Sequence, residues 1–299
     1  MRSAVFASHF AALTLAVAHL PAFAQVPPTL DRAKASGTFT VAYREASIPF
    51  SYLGGEAKPV GFGWEICGKV VEQVKKVTGR ADLKVNTQAV TSQNRIPLMQ
   101  NGTIDIECGS TTNNSDRQKQ VTFATSYFYT GTRLLVLANS PIKSVADLKG
   151  KKVVSTVGTT NLQVLRKLNT DRNLGFELLG AKDHPEAVLM VQAGRADAFG
   201  MDDILLYGLR ASAQNPASLA VVGEAIQVEP YGIMLRKDDP AFKKLVDDTL
   251  AALIKSGEFE TLYKKWFQSP IPPNGINLGA PMSDELRENM RVLSDKPAL

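Results

Sequence analysis

The chain has 299 residues, 44% of them hydrophobic and 21% charged, with a formal net charge of +5. That is room for one or two globular domains with substantial cores, and it is unlike a disordered or low-complexity chain. The basic residues are spread along the sequence, which gives no nucleic-acid footprint, and two cysteines with three histidines argue against a multi-ligand zinc site.

The first element in chain order is a leader. Arg2, the apolar run Phe10 to Leu20 and the Ala22-Phe23-Ala24 site read as a secretory signal at 1–24, cleaved before Gln25. No cysteine stands at the junction, so a lipid anchor is not expected, and the compartment implied is an oxidising bacterial periplasm. Cleavage removes His9, His19 and the single charge of Arg2, which leaves a formal charge of +4 and His184 as the one histidine. No later stretch is apolar enough, for long enough, to span a bilayer. Cys67 and Cys108 allow at most one intrachain disulfide, and their spacing does not choose between a bridge and two buried thiols.

Leu30 to Ala33 is helix-like, Phe39 to Tyr43 alternates as a strand ending at Arg44-Glu45, and Ala46 to Tyr52 reads as a polar-aromatic turn. Ile66, Val70, Val71, Val74 and Val77 recur at helical spacing over Phe62 to Thr78, with Gly79 as the stop. Leu83 to Val90 is a second strand and leads into the loop Thr91-Ser92-Gln93-Asn94-Arg95. A short helix ending at Asn101-Gly102 follows, then Ile104 to Cys108, whose alternation suits a strand with one face in a core. That strand empties into Gly109-Ser110-Thr111-Thr112-Asn113-Asn114, rich in hydroxyls and free N–H groups.

Thr132 to Ala138 is an apolar strand and Ser144 to Gly150 a short capped helix. Val153 to Val157 is a strand that ends in Gly158-Thr159-Thr160-Asn161, with Leu162 to Leu168 as the helix behind it. Phe176 to Gly180 is a strand running into Ala181-Lys182-Asp183-His184, Glu186 to Ala193 a helix, and Ala196 to Met201 a strand ending in Asp202-Asp203. Tyr231 to Leu235 is a late strand. Pro240 to Ser256 is an amphipathic helix opened by proline and closed by Gly257, Glu258 to Phe267 continues as helix, and Asp284 to Leu293 is the last.

Strand and helix in alternation predict an α/β fold with a mostly parallel sheet, whose ligands bind beyond the carboxyl ends of the strands. Arg44, Thr91-Ser92, Gly109-Ser110, Gly158-Thr160, His184 and Asp202 all stand at such ends. Each alone is equally well an N-cap or a turn residue. Together they describe a pocket for something anionic and oxygen-rich.

Several motifs carry a family resemblance over nearly all of the chain after the leader. They are Tyr43-Arg44-Glu45 with Pro49-Phe50-Ser51-Tyr52, the run Thr91 to Asn101, Glu107 to Asn114, Gly158-Thr159-Thr160, Ala181 to His184, Met201 to Asp203, and Leu235 to Pro240. The chain resembles the periplasmic solute-binding proteins of ABC importers for polar amino acids, and most of all those for glutamate and aspartate. The resemblance implies a type II two-lobe periplasmic binding protein fold with two crossover hinge strands, near Gly131 to Leu135 and Glu229 to Leu235. One lobe would comprise 29–131 and 233–299, the other 132–232. It also implies a monomer that closes on L-glutamate or L-aspartate and presents it to membrane permease subunits, with no catalysis and no cofactor.

Carried over residue by residue, Arg95 resembles the partner of the ligand α-carboxylate, assisted by Thr112 and Thr160. Asp202, helped by Ser110, resembles the acceptor of the α-ammonium. Arg44 with Ser92 and His184 resembles the clamp on the side-chain carboxylate, and Arg117 ranks lower, as a support behind the ligand contacts or only structural. Family members pair the position of Cys108 with the one held here by Ile233, so the resemblance departs at the cysteines. A Cys67–Cys108 bridge and two separate thiols both stay open on compartment grounds.

The rival class is an enzyme of the same fold, dehydratase-like, acting on a carboxylate. Ser110, His184 and Asp202 have the residue types of a nucleophile triad, although Ser110 lacks a G-x-S-x-G elbow. Two arginines and one acid instead complement a zwitterionic diacid and leave no obvious base over.

Overall fold

The structure is a computed structural model that describes residues 27–298; the leader at 1–24 lies outside the described residues. Helix α1 (Thr29–Ser36) leads into β1 (Thr38–Tyr43), a small antiparallel sheet of β2 (Ala46–Ser47), β3 (Ser51–Leu53) and β4 (Pro59–Val60), and helix α2 (Phe62–Thr78). Then come β5 (Lys84–Ala89), α3 (Arg95–Gln100), β6 (Ile106–Glu107), α4 (Ser115–Gln118) and the long β7 (Thr122–Leu137). A second alternation runs β8 (Lys152–Thr156), α5 (Thr160–Asp171), β9 (Glu177–Ala181), α6 (His184–Gln192), β10 (Ala198–Asp202), α7 (Asp203–Ser212) and β11 (Leu219–Val222). The chain returns through β12 (Val228–Leu235) and ends in α8 (Pro240–Ser256), α9 (Glu258–Phe267) and α10 (Asp284–Val292).

The strands lie in the order β5-β1-β6-β12-β7-β10-β8-β9, with β11 on the free flank of β7. β5, β1 and β6 are parallel, as are β9, β8 and β10, so two α/β lobes each present strand carboxyl ends to the other. What joins them is antiparallel. β7 pairs β12 over Thr122 to Gly131, then β10 from Thr132 and β11 from Leu134, so one 16-residue strand serves both lobes.

Local chemistry explains most boundaries. α2 buries Ile66, Cys67, Val70, Val71 and Val74 and stops at Gly79, whose left-handed φ of 68° lets its N–H cap the last turn. α8 opens on Pro240 with Asp239 accepting from Phe242 N, and ends at Gly257. Behind the junction of the lobes Phe50 is fully buried, its ring centroid 4.8 Å from Phe128 and 5.1 Å from Tyr231. Edge-on packing of this kind ties the small β2-β3-β4 sheet to the hinge strands.

Three expectations are corrected. Residues 46–52 are a turn only at 48–50, which two short antiparallel strands flank, because burial of Phe50 and Tyr52 pulls the segment onto the core. Ile104 to Cys108 is buried on both faces, not one: Asp105 accepts Thr40 N and Arg32, and Glu107 accepts Thr111 Oγ1 on one oxygen, so each acid has a protein donor. α7 and β11 had no counterpart in the sequence reading. α7 begins at the residue after β10 with no loop between them, so no turn signal marks its start.

Candidate functional site

The two sets of strand ends face one another across a narrow cleft. From the first lobe, β1 delivers Arg44, the turn after β5 delivers Ser92 and the opening residue of α3, Arg95, and β6 runs into Ser110 and Thr112. From the second, β8 leads to Thr160 at the start of α5, β9 to His184 at the start of α6, and β10 ends on Asp202. His184 is therefore a helix-start residue capped by Asp183 rather than a loop residue. Ser92, Arg95, Ser110, Thr112, Thr160, His184 and Asp202 line one tight space between the lobes, of about 10 Å3. Arg44 borders it beside Ser92, and Arg117 lies behind Thr112. A larger groove between α2 and α8 carries two ion pairs of its own, Lys69 with Glu258 and Lys244 with Asp248.

Every one of these polar side chains is buried, and the hydrogen bonds show how each is aimed. Arg44 Nη2 donates to Ser92 Oγ at 2.8 Å and faces His184 Nε2 at 3.4 Å. A guanidinium can only donate, so Nε2 is the acceptor and His184 donates through Nδ1 to Thr156 Oγ1 at 2.8 Å. Arg95 Nη1 donates to Ser110 O at 3.2 Å, and Ser110 Oγ to Ser47 Oγ at 3.1 Å. Asp202 accepts from Asn161 Nδ2 at 2.7 Å and from the Tyr231 hydroxyl. The Ser110–His184–Asp202 triad is thus not formed, since each member is committed to other partners. Arg44 Nη1 and Arg95 Nε have no acceptor among the described residues, although both atoms are buried. Two cationic donors without acceptors inside a closed space fit anionic oxygens.

Burial dominates the electrostatics. It pulls Arg44 and Arg117 down to about 9, with the charge of Arg95 adding to the effect, and lowers Arg95 too. The buried acids Glu107, Asp202 and Glu229 work against that shift, and all three guanidiniums stay charged near neutral pH. His184 lies well below its ordinary value through burial, then the Arg44 and Arg95 charges, and is neutral. Asp202 is pushed up by burial, against which its Tyr231 and Asn161 hydrogen bonds hold the charge in place.

The lobes also touch directly. Arg117 donates through Nη1 to Thr112 O at 2.9 Å and through Nη2 across the cleft to Gly158 O at 3.1 Å. Thr112 and Thr160 hydroxyls lie 3.3 Å apart, and Thr160 donates to Glu229 on β12 at 2.9 Å. Cys67 on α2 and Cys108 are joined in a disulfide, which fastens the start of the Gly109 to Thr112 loop to a core helix.

Sequence reasoning missed Glu107, Asn161, Glu229 and Tyr231. Asn161 belongs to a turn already singled out. Glu107 and Glu229 carried one usable signal, an acid within an otherwise apolar strand, which is costly unless something pairs with it.

Bacterial extracellular solute-binding proteins, family 3, is the family whose pattern matches, over residues 39–269. An L-glutamate/L-aspartate-binding protein of Pseudomonas aeruginosa is 51% identical over 271 residues, 90% of each chain. A glutamate/aspartate import solute-binding protein of Escherichia coli is 47% identical over 268 residues, 90% of this chain and 89% of that one. Among solved structures, an ancestral arginine-binding protein bound to arginine superposes with a TM-score of 0.69 at 31% identity, covering 77% of this chain and 98% of its own.

Proposed function

The chain belongs to the bacterial extracellular solute-binding proteins of family 3, and on that footing we propose that it is the periplasmic component of an ABC amino-acid importer. It encloses L-glutamate or L-aspartate between its lobes and hands it to the membrane permease. It reaches the periplasm by a cleaved signal at 1–24 and acts there as a monomer. Lobe 1 comprises 29–131 and 233–299, and lobe 2 comprises 132–232.

The observation that carries this reading is the pair of unpartnered buried donors, Arg44 Nη1 and Arg95 Nε, sharing a cleft with the Asp202 carboxylate. An acidic amino acid has two anionic groups and one cationic group. Arg95 takes the α-carboxylate with the Thr112 and Thr160 hydroxyls, Asp202 takes the α-ammonium with Ser110, and Arg44 takes the side-chain carboxylate with Ser92 and His184. Arg117 does not touch ligand and holds the closed lobes together. An amide side chain would offer Arg44 Nη1 no anionic acceptor, which is the source of selectivity against glutamine and asparagine.

Isothermal titration of protein refolded free of ligand, against glutamate, aspartate, glutamine and asparagine, tests it. Tight binding of an acid with weak binding of its amide is expected. Equal binding of acid and amide, or no heat with either acid, would overturn the assignment.

A further inference from the structure

Around the cleft three buried guanidiniums, Arg44, Arg95 and Arg117, stand against three buried carboxylates, Glu107, Asp202 and Glu229. His184 adds no charge. With every acid ionised the cleft is neutral before a ligand arrives. An acidic amino acid brings a net negative charge into a space sealed from water, where an uncompensated charge is expensive.

The surroundings of the three acids differ. Asp202 takes an N–H from Asn161 and an O–H from Tyr231, one on each oxygen, and so is held as the anion. Glu107 takes the Thr111 hydroxyl at 2.5 Å on one oxygen and, like Glu229, has no donor on the other among the described residues, but it faces the charges of two arginines, Arg44 and Arg95. Glu229 is fully buried on β12, and its Oε1 has no hydrogen-bond partner among the described residues. Its Oε2 accepts from Thr160, whose hydroxyl lies 3.3 Å from that of Thr112. The cation that acts on it, Arg117, spends N–H groups on the Thr112 and Gly158 carbonyls. Asp202 from β10 repels Glu229 and Tyr231 on its own strand stays neutral, so burial and Asp202 oppose the Glu229 anion while Arg117 favours it.

We infer that Glu229 takes up a proton when an acidic amino acid is enclosed, so that the occupied cleft closes electrically neutral. Glu229 is then a positioning residue: it touches no ligand atom, but through Thr160 it joins the paired hydroxyls of Thr112 and Thr160, one from each lobe, to a hinge strand. Its ordinary carboxyl value is already lifted to about 7 by burial, then Asp202, before any ligand charge is added. The inference rests on the proposal that the ligand is an acidic amino acid. Because the complex holds more protons than the free protein, affinity must fall as pH rises above about 7, approaching tenfold per pH unit.

The test is titration of ligand-free protein with L-glutamate at about pH 7.5 in phosphate and in Tris, whose different ionisation heats report the protons exchanged. Wild type is expected to take up a large fraction of one proton. Glu229→Gln, which mimics the protonated acid, is expected to take up none and to show an affinity that no longer varies with pH. His184→Asn should bind more weakly yet keep the uptake. Binding by wild type with no proton uptake overturns this inference alone, and so does uptake that survives in Glu229→Gln or vanishes in His184→Asn. Should Glu229→Gln fail to fold, the wild-type and His184→Asn titrations still decide between the two groups. No binding of either acid at any pH overturns the functional reading, and this inference with it.

Discussion

Gly158 of the second lobe lies against the backbone of Gln93 of the first: a Cβ on Gly158 would meet Gln93 Cα at 2.5 Å and Gln93 N at 2.6 Å. The φ of Gly158 is +83°, so the position is demanding twice over, once for backbone conformation and once for the approach of the other lobe. Only the second demand depends on closure. Gly158→Ala should therefore weaken ligand binding by roughly ten- to a hundredfold, the effect of 1–3 kcal/mol of strain and contact in the closed state. Small-angle scattering should show the variant staying wider than wild type at saturating ligand. Wild-type affinity in Gly158→Ala would mean the lobes do not meet here when ligand is bound.

How far this was legible in sequence depends on how local the signal is. α2, α8 and α9 could be read to their ends, because helical spacing of buried apolar residues and the glycines at 79 and 257 are local features. The first part of β7, Thr122 to Gly131, mixes Thr and Ser with aromatics and shows no alternation. It is a strand because β12 pairs with it from a hundred or so residues away. At the cleft, Arg95 and Asp202 could be picked out as polar groups at strand ends. Tyr231 could not, since its hydroxyl matters only once β12 has brought it to Asp202.

The two cleft arginines are expected to fail differently. Arg95→Lys keeps the charge but loses the planar fork, and every amino-acid ligand should weaken by about a hundredfold or more. Arg44→Ala should instead remove the preference for acids over amides, costing glutamate about 2–5 kcal/mol by leaving its side-chain carboxylate unpaired while glutamine changes little. Competition titrations with both ligands on both variants separate these outcomes. An equal loss for glutamate and glutamine in Arg44→Ala would remove Arg44 from the side-chain clamp.

The Cys67–Cys108 disulfide closes a loop across 41 positions, and both cysteines are buried. Cys67→Ser with Cys108→Ser should lower unfolding stability by roughly 2–4 kcal/mol, chiefly by freeing the unfolded chain. Because Cys108 is followed directly by Gly109 to Thr112, ligand affinity should drop as well, through looser placement of Ser110 and Thr112. Urea unfolding and glutamate titration of the double variant check both parts. Unchanged affinity would make the bridge a matter of stability alone.

Glu229 also sets a pH dependence in the ligand-free protein, and its sign follows from burial. Burial raises its folded value from the ordinary 4.5 to about 7. Between those values the unfolded chain ionises Glu229 and the folded chain resists, so its contribution to stability is complete below about 4.5 and lost as pH rises through about 7. Glu229→Gln lacks that loss, and its amide oxygen can still accept from Thr160. The variant should exceed wild type by no more than about 1 kcal/mol near pH 5 and by up to about 3 kcal/mol at pH 8, a shift of about two and a half units at 1.36 kcal/mol each. His184 acts in the opposite direction, since its depressed value costs folded stability as pH falls below about 6.5. That contribution is common to both proteins and cancels in their difference. Urea unfolding of wild type and Glu229→Gln at the two pH values measures it directly, and a difference that does not change with pH would show that Glu229 is ionised in the fold throughout.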